Sequence, residues 1–338
     1  MKAYVIEDEF GLDNLSVVER PSPSPSAGQL RLEMGAVSLN FRDYMMVQGL
    51  YNPNQELPLI PCSDGVGVVV EVGDGVDDDW VGRRVAPIFA QGWRGGEPTK
   101  SKLKTTLGGP LDGTLAEEMV VDVGGVVPVP DHLTDAQAAT LTCAGVTAWN
   151  AVVEQGDLTA GDTLLTLGTG GVSTFAAQFG EMVGARVLVT SSSDEKLEAA
   201  YDRGADGGIN YADDEDWGET AREMTDGRGV DLVVEVGGAQ TLNKSVRAVR
   251  IGGRIALIGV LSGGMEEINL IPILMQNIRI QGIIVGHREM FERMNRAIDH
   301  HRMQPVVDES FSFDRAVDAF EYMASGNHQG KVCIDIGS

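Results

Sequence analysis

Cysteine is scarce in this chain: among 338 residues only Cys62, Cys143 and Cys333 occur, and no two lie close together. That excludes a disulfide framework and a paired-cysteine metal ribbon, and it fits a reducing compartment. Histidine is nearly as rare. His132, His287 and His328 stand apart, and His300 and His301 sit on one helix face, so no histidine metal site is expected. Lysine is confined to Lys2, Lys100, Lys102, Lys104, Lys196, Lys244 and Lys331, and the 26 basic side chains face 50 acidic ones, a formal charge of −24. Such a field repels nucleic acid and anionic membranes, so neither is expected as a partner. The carboxylates are scattered (Asp77–Asp79, Asp213–Asp216) rather than gathered in a tail, a pattern that suits a high-salt host. No apolar run approaches the roughly 20 residues that cross a bilayer. The N-terminus enters a strand-like pattern with no signal-peptide apolar stretch. A soluble, cytoplasmic protein is the expectation.

What the chain does have is two contrasting patterns. Up to about residue 125 it is rich in short β runs and turns, such as Gln29–Met34, Gly65–Gly73 and Met119–Val123, as a barrel-like β domain would be. The stretch from Pro98 to Gly113 reads as a long exposed loop. From about 134 to 286 strands alternate with helices, the pattern of a doubly wound parallel sheet. Helices are expected over Asp135–Val153, Asp194–Arg203, Trp217–Thr225 and Thr241–Val249, and strands over Arg186–Thr190, Asp231–Val236, Arg254–Gly259 and Ile278–Val285. Two further helices, Met290–His300 and Arg315–Ala324, and a strand, Lys331–Asp335, return to the first domain. At this length two domains are expected.

The most informative segment is Thr163–Gly180. An apolar strand breaks into Gly168-Thr169-Gly170-Gly171-Val172-Ser173 and runs on as a helix. Gly168 permits a tight turn, Gly170 lets the backbone approach a pyrophosphate, and the new helix N-terminus offers unpaired N–H groups to phosphate. Ser173 stands in place of the third glycine of the usual fingerprint. The strand Arg186–Thr190 follows at the spacing of one βαβ unit. Its end carries Ser191, Ser192 and Ser193, with Lys196 one turn on, where a carboxylate would select a ribose 2′-hydroxyl. Hydroxyls and an ammonium suit a 2′-phosphate instead, so NADP is favoured over NAD. The serines can also serve as the cap of the helix that starts at Asp194.

Taken in order, several motifs carry a family resemblance over essentially the whole length. They are Asn40-Phe-Arg-Asp43 with Gly49-Leu-Tyr51, Pro61-Cys-Ser-Asp-Gly-Val-Gly67, Gly145-Val-Thr-Ala-Trp149, the glycine turn, Ser191–Lys196, Gly204-Ala-Asp with Ile209-Asn-Tyr211, and Gly330-Lys-Val. The chain resembles the medium-chain dehydrogenase/reductase superfamily, and within it the zinc-independent quinone-oxidoreductase-like branch. The resemblance implies an α/β fold: a GroES-like β-barrel domain (residues 1–125 and 290–338) interrupted by a Rossmann domain (residues 126–289), with the active site in the cleft between them. It also implies a homodimer built through an edge strand of the Rossmann sheet, around Arg254–Ile258 or Ile278–Val285. Where the superfamily's zinc enzymes carry their first cysteine ligand this chain has Asn40, and where they carry histidine it has Ser63. Cys143 remains near the third ligand position, and Asp64 replaces the neighbouring glutamate. No metal is expected, because one thiolate cannot form the usual three-ligand site.

The same resemblance places Tyr211 beside the adenosine phosphate. It sets Thr147, Val236, Ile258, Gly259, Val260, Ile283 and Val285 along the nicotinamide. In the cleft it implies Tyr51 as donor to the acceptor's oxygen, Asn40 as an orienting group, and Tyr44 as a second proton donor. Without a Lewis acid, quinones and α,β-unsaturated carbonyls are better acceptors than simple carbonyls. Two alternatives stay open: an alcohol dehydrogenase-like oxidoreductase using NAD or NADP, and an NADPH-binding protein with little turnover.

Overall fold

The computed structural model describes residues 1–337. Along the chain run β1 (Lys2–Ile6), β2 (Leu15–Glu19), β3 (Gln29–Ser38), β4 (Asp64–Val72), β5 (Arg84–Pro87), β6 (Glu118–Asp122) and β7 (Val126–Pro128). Then come β8 (Thr163–Leu167), β9 (Arg186–Ser191), β10 (Gly207–Asn210), β11 (Val230–Glu235), β12 (Val249–Leu257) and β13 (Arg279–Gly282), and finally β14 (Val307–Ser312) and β15 (Lys331–Asp335). The chain divides into two units, Met1–Val146 with the segment from Gly286 onward, and Thr147–Val285.

In the first unit a seven-stranded sheet runs β14-β15-β3-β4-β5-β7, with β6 also on β3. Strand β3 organises it. Its alternating Leu30, Leu32 and Met34 are buried against Val69, Val85, Val121 and Val126. Two register shifts against β4 bend it, and it pairs with β6 over Gln29–Glu33 and with β15 over Ala36–Ser38. The segment 126–146, grouped by resemblance with the Rossmann domain, packs here: β7 pairs with β5, and the helix Asp135–Ala139 lies against β3 and β4. The helix expected over Asp135–Val153 is broken by wide π-type turns at Leu141–Gly145 and Asn150–Glu154. The expected exposed loop at 98–113 is interrupted by a buried stretch. Thr106–Gly109 are buried, because the Arg42 guanidinium donates to the carbonyls of Leu107 (3.1 Å) and Gly109 (2.7 Å).

The second unit holds a six-stranded sheet, β10-β9-β8-β11-β12-β13, parallel throughout. Numbered within the unit the order is 3-2-1-4-5-6, the Rossmann arrangement, with its reversal between β8 and β11. Every residue of β8 is buried, as a strand covered on both faces must be. The helix Gly171–Met182 lays Phe175 and Phe179 into this core, and Trp149 meets Phe179 edge-on at 5.3 Å. The GroES-like plus Rossmann architecture implied by the motifs is the one observed. Neither β10 nor β14 was anticipated; β10 is short and begins with two glycines.

Candidate active site

The carboxyl ends of the second unit's strands gather nearly all the residues read as cofactor-binding. Gly168 follows β8, Ser191 ends β9, Tyr211 follows β10, Val236 follows β11, Ile258 follows β12, and Ile283 and Val285 follow β13. Ligands of open parallel sheets bind along this edge, at the reversal point. Thr147 is on no strand end but buried on the helical turn Val146–Trp149.

The glycine turn has the backbone features that a phosphate cradle requires. Gly168 has φ 73°, a conformation glycine adopts without strain. Gly170 caps the helix Gly171–Met182 in extended conformation, and a methyl group added there would meet no heavy atom within 4 Å. No side chain caps this helix, so the amides of its first turn are left for an anion. Ser173, in place of the third glycine, is buried and turns its hydroxyl back to the Leu167 carbonyl at 2.6 Å. It thus ties helix to strand without closing the cradle. Beside it, Gly168 N–H donates to Thr190 Oγ1 at 3.3 Å.

At the end of β9 the serines divide their tasks. Ser193 is the helix cap, accepting from Lys196 N–H, and Ser191 Oγ accepts from Ser193 N–H at 3.3 Å. Ser192 is exposed. Asp194, the nearest carboxylate, is taken up by Asn210 Nδ2 at 2.8 Å.

One residue missed from sequence organises the loop after β11. Glu235 terminates β11 fully buried. Its Oε1 accepts from Gly237 N–H (2.8 Å), Gly238 N–H (3.0 Å) and Thr241 Oγ1 (2.8 Å), and its Oε2 accepts from Ser245 Oγ (2.5 Å). The loop so held is stitched to the one after β12: Ala239 N–H to Gly263 O, Ser262 N–H to Gly237 O, and Leu261 N–H to Val236 O. Gly259 packs so close that a Cβ would come within 2.4 Å of the Val236 carbonyl oxygen. Val285 has φ 31°, strained for a β-branched side chain, and its carbonyl accepts from Asn150 Nδ2 at 2.8 Å. The signal available in sequence was an acid closing the apolar run Leu232–Val234.

In the first unit, a buried polar chain surrounds Asn40. Asn40 begins the helix Phe41–Val47 and is partly buried; Asp43, Ser63, Asp64 and Lys331 are 0–4% exposed. Lys331 Nζ donates to the Leu39 carbonyl and to Asn40 Oδ1 (2.6 Å). Asn40 Nδ2 faces Asp43 Oδ2 (3.3 Å) and Ser63 Oγ (3.5 Å), and Ser63 Oγ donates to Asp64 Oδ1 (2.7 Å). Asp64 Oδ2 accepts from Cys143 N–H at 3.0 Å. These donors do not fit a catalytic zinc. An amide and a hydroxyl stand where strong ligands are needed, and neither is a usual zinc donor. Among the described residues no group of three histidine, cysteine or acidic side chains could hold a metal ion.

Tyr51 and Tyr44 are placed differently. Tyr51 is 53% exposed, with the Arg42 guanidinium 5.0 Å from its ring centre, so a cation–π contact holds the ring near the helix Phe41–Val47. Tyr44 stacks on Phe41 at 5.9 Å and packs against the apolar cluster around Ile6 and Phe320. Arg42 and Asp43 pair at 3.6 Å.

Burial raises the Asp64 carboxyl to about 6 from 3.8, and the Lys331 ammonium pulls in the opposite direction. The folded state therefore holds this proton more tightly than the unfolded chain. Its stabilising effect is complete below 3.8 and is lost as pH rises through 6. Asp64→Asn is expected to exceed the parent in stability above pH 7 by up to about 3 kcal/mol. The gap should close in acid. Thermal melts across pH check this; a gap independent of pH would refute it.

An inserted parallel sheet of Rossmann order, with a phosphate cradle at its reversal point, in a β unit carrying the Asn40 chain defines a dinucleotide-dependent oxidoreductase of two units. Residues 26–131 match the family described as alcohol dehydrogenase GroES-like domain, and residues 171–300 the family described as zinc-binding dehydrogenase. A zinc-type alcohol dehydrogenase-like protein of Schizosaccharomyces pombe is 40% identical, over 98% of this chain and 99% of its own. A putative alcohol dehydrogenase from Sinorhizobium meliloti superposes with TM-score 0.92 at 38% identity, covering 99% of this chain and 98% of that one. A structure described as an NAD-dependent alcohol dehydrogenase gives 0.92 at 29% identity over the whole of both chains. A mycobacterial protein solved with NADPH gives 0.82 at 26% identity, over 99% of this chain and all of that one. The chain belongs to the medium-chain dehydrogenase/reductase superfamily, and it is an oxidoreductase. Among the described residues no helix is long and apolar enough to cross a membrane.

Proposed function

We propose that this chain is an NADPH-dependent, metal-independent reductase of quinones or α,β-unsaturated carbonyls. The observation that carries the reading is the end of β9. Ser191 and Ser192 precede Lys196 there, and of the two acids beside them, Asp194 and Glu195, Asp194 already accepts from Asn210 Nδ2. The cradle at Gly168–Ser173 suits the pyrophosphate, and the mycobacterial relative solved with NADPH is consistent with that cofactor. NADPH, when bound, supplies a hydride. In the proposed reaction the hydride adds to an acceptor carbon, the π electron pair moves onto the acceptor's oxygen, and a proton from water or Tyr51 neutralises it. Tyr51 and Asn40 are the groups proposed to meet that oxygen. The amide and hydroxyl at Asn40 and Ser63 support a metal-free reaction.

The test is NADPH oxidation with p-benzoquinone and with cyclohexenone, NADH alongside, at low and high salt. Chelator-insensitive turnover preferring NADPH supports the proposal. Tight binding of NADPH without turnover favours the binding-protein alternative. Lys196→Ala is expected to raise the apparent KM for NADPH about tenfold and to leave that for NADH nearly unchanged; equal effects on both would remove Lys196 from the phosphate site.

We also propose a homodimer through β13. This strand is the sheet's edge, and the preceding helix Leu270–Met275 leaves Leu270, Ile271, Leu274 and Met275 68–79% exposed. Light scattering that returned the single-chain mass of 36.0 kDa would rule the dimer out.

A further inference from the structure

Lys331 opens β15 and is 4% exposed, so its ammonium is withdrawn from water and must be matched inside the protein. Two fully buried carboxylates, Asp43 and Asp64, feel its charge, and its ammonium donates to the Leu39 carbonyl and to Asn40 Oδ1. A carboxamide can sit either way round, and here chemistry decides. An ammonium only donates and an ionised carboxylate only accepts. The Asn40 carboxamide therefore turns Oδ1 to Lys331 and Nδ2 to Asp43 and Ser63. The two contacts of Nδ2 are long, 3.3 and 3.5 Å, whereas Ser63 spends its own proton on Asp64 at 2.7 Å. The amide N–H groups are thus shared among Asp43, Ser63 and Asp64 at long range, on a side chain that is only partly buried. Hydrogen bonding of a cation to Oδ1 also polarises the amide and strengthens its N–H as a donor.

We propose that Lys331 is a positioning residue for acceptor reduction: it locks the Asn40 carboxamide so that Asn40 presents an N–H, and not a carbonyl, to the oxygen on which charge accumulates. The inference rests on the functional reading above. It assigns a role to a residue whose partner lies 291 positions away in sequence.

The experiment is a double-mutant cycle on the full chain, with p-benzoquinone and cyclohexenone as acceptors and NADPH affinity measured by fluorescence. Asn40→Ala and Lys331→Met are each expected to lower kcat by about tenfold to a hundredfold. NADPH affinity should change by less than about twofold, and the double variant should be no slower than the slower single one. Asn40→Asp keeps an oxygen facing Lys331 but has no N–H, so it should lose as much kcat as Asn40→Ala. Should Lys331→Met fail to fold, Asn40→Asp and Lys331→Arg still decide. Asn40→Asp retaining wild-type kcat, or multiplicative losses in the cycle, overturns the inference alone. A wild-type enzyme that binds NADPH and reduces neither acceptor overturns the functional reading, and the inference with it.

Discussion

Glu235→Ala is expected to destabilise the second unit by about 3–5 kcal/mol, since it strips a buried acceptor from two backbone amides and two hydroxyls at once. On a unit of this size that corresponds to a fall in melting temperature of roughly 10 °C. Glu235→Gln should behave quite differently. Its remaining oxygen can take the place of Oε1, which serves Gly237, Gly238 and Thr241, while its NH2 can face Ser245. Ser245 hydroxyl can rotate from donor to acceptor, so no group is orphaned. The loss should then be about 1–2 kcal/mol, the difference between a charge-assisted and a neutral network. Calorimetry on both variants, with dinucleotide titrations, separates the cases. If alanine and glutamine behave alike, the carboxylate is not the anchor of the 236–241 loop.

Gly170→Ala should do the reverse, leaving stability alone and removing binding. The residue has φ −75° and ψ 178°, open to any L side chain, and its Cβ would enter space that no protein atom occupies. The melting temperature should stay the same or rise slightly, as glycine-to-alanine changes at compatible sites do. Affinity for NADPH and NADH should both fall by more than about tenfold, because the methyl stands where backbone must approach the pyrophosphate. Gly168→Ala, at φ 73°, should cost both binding and about 1 kcal/mol of folding. Unimpaired binding by Gly170→Ala would place the pyrophosphate elsewhere.

The parts of this molecule that were legible in its sequence are those whose cause is local. The turn at Gly168–Ser173 declares itself because strand, glycines and helix are contiguous. The strands Arg186–Thr190 and Asp231–Val236 came within a residue or so of their observed ends because they are short apolar runs between turns. Sheet order is another matter: only the family resemblance implied it, since no periodicity says that β8 lies between β9 and β11. The segment 126–146 falls with the Rossmann domain by resemblance, and its part from Asp135 onward reads as helix. Its packing is set by β7 finding β5, about 40 residues earlier in the chain. Lys331 was visible only as part of a motif, and its meaning lies in Asn40, at the other end of the sequence. Asn40 itself was singled out as a substrate-facing residue. That its oxygen faces Lys331, leaving N–H for any partner, depends on a buried charge that pattern alone cannot reveal.

The stitching between the loops after β11 and β12 bears on how this scaffold can be redesigned. Positions 191–196 hang from one strand end and are held by a helix cap and one serine, so the adenosine end can be rewritten one side chain at a time. The 236–241 and 258–263 loops share backbone hydrogen bonds and a carboxylate anchor, so a graft of either alone would tear the other. On the function proposed above, cofactor preference is therefore a property that point mutation can reach, whereas the surface offered to the nicotinamide ring is inherited as a block.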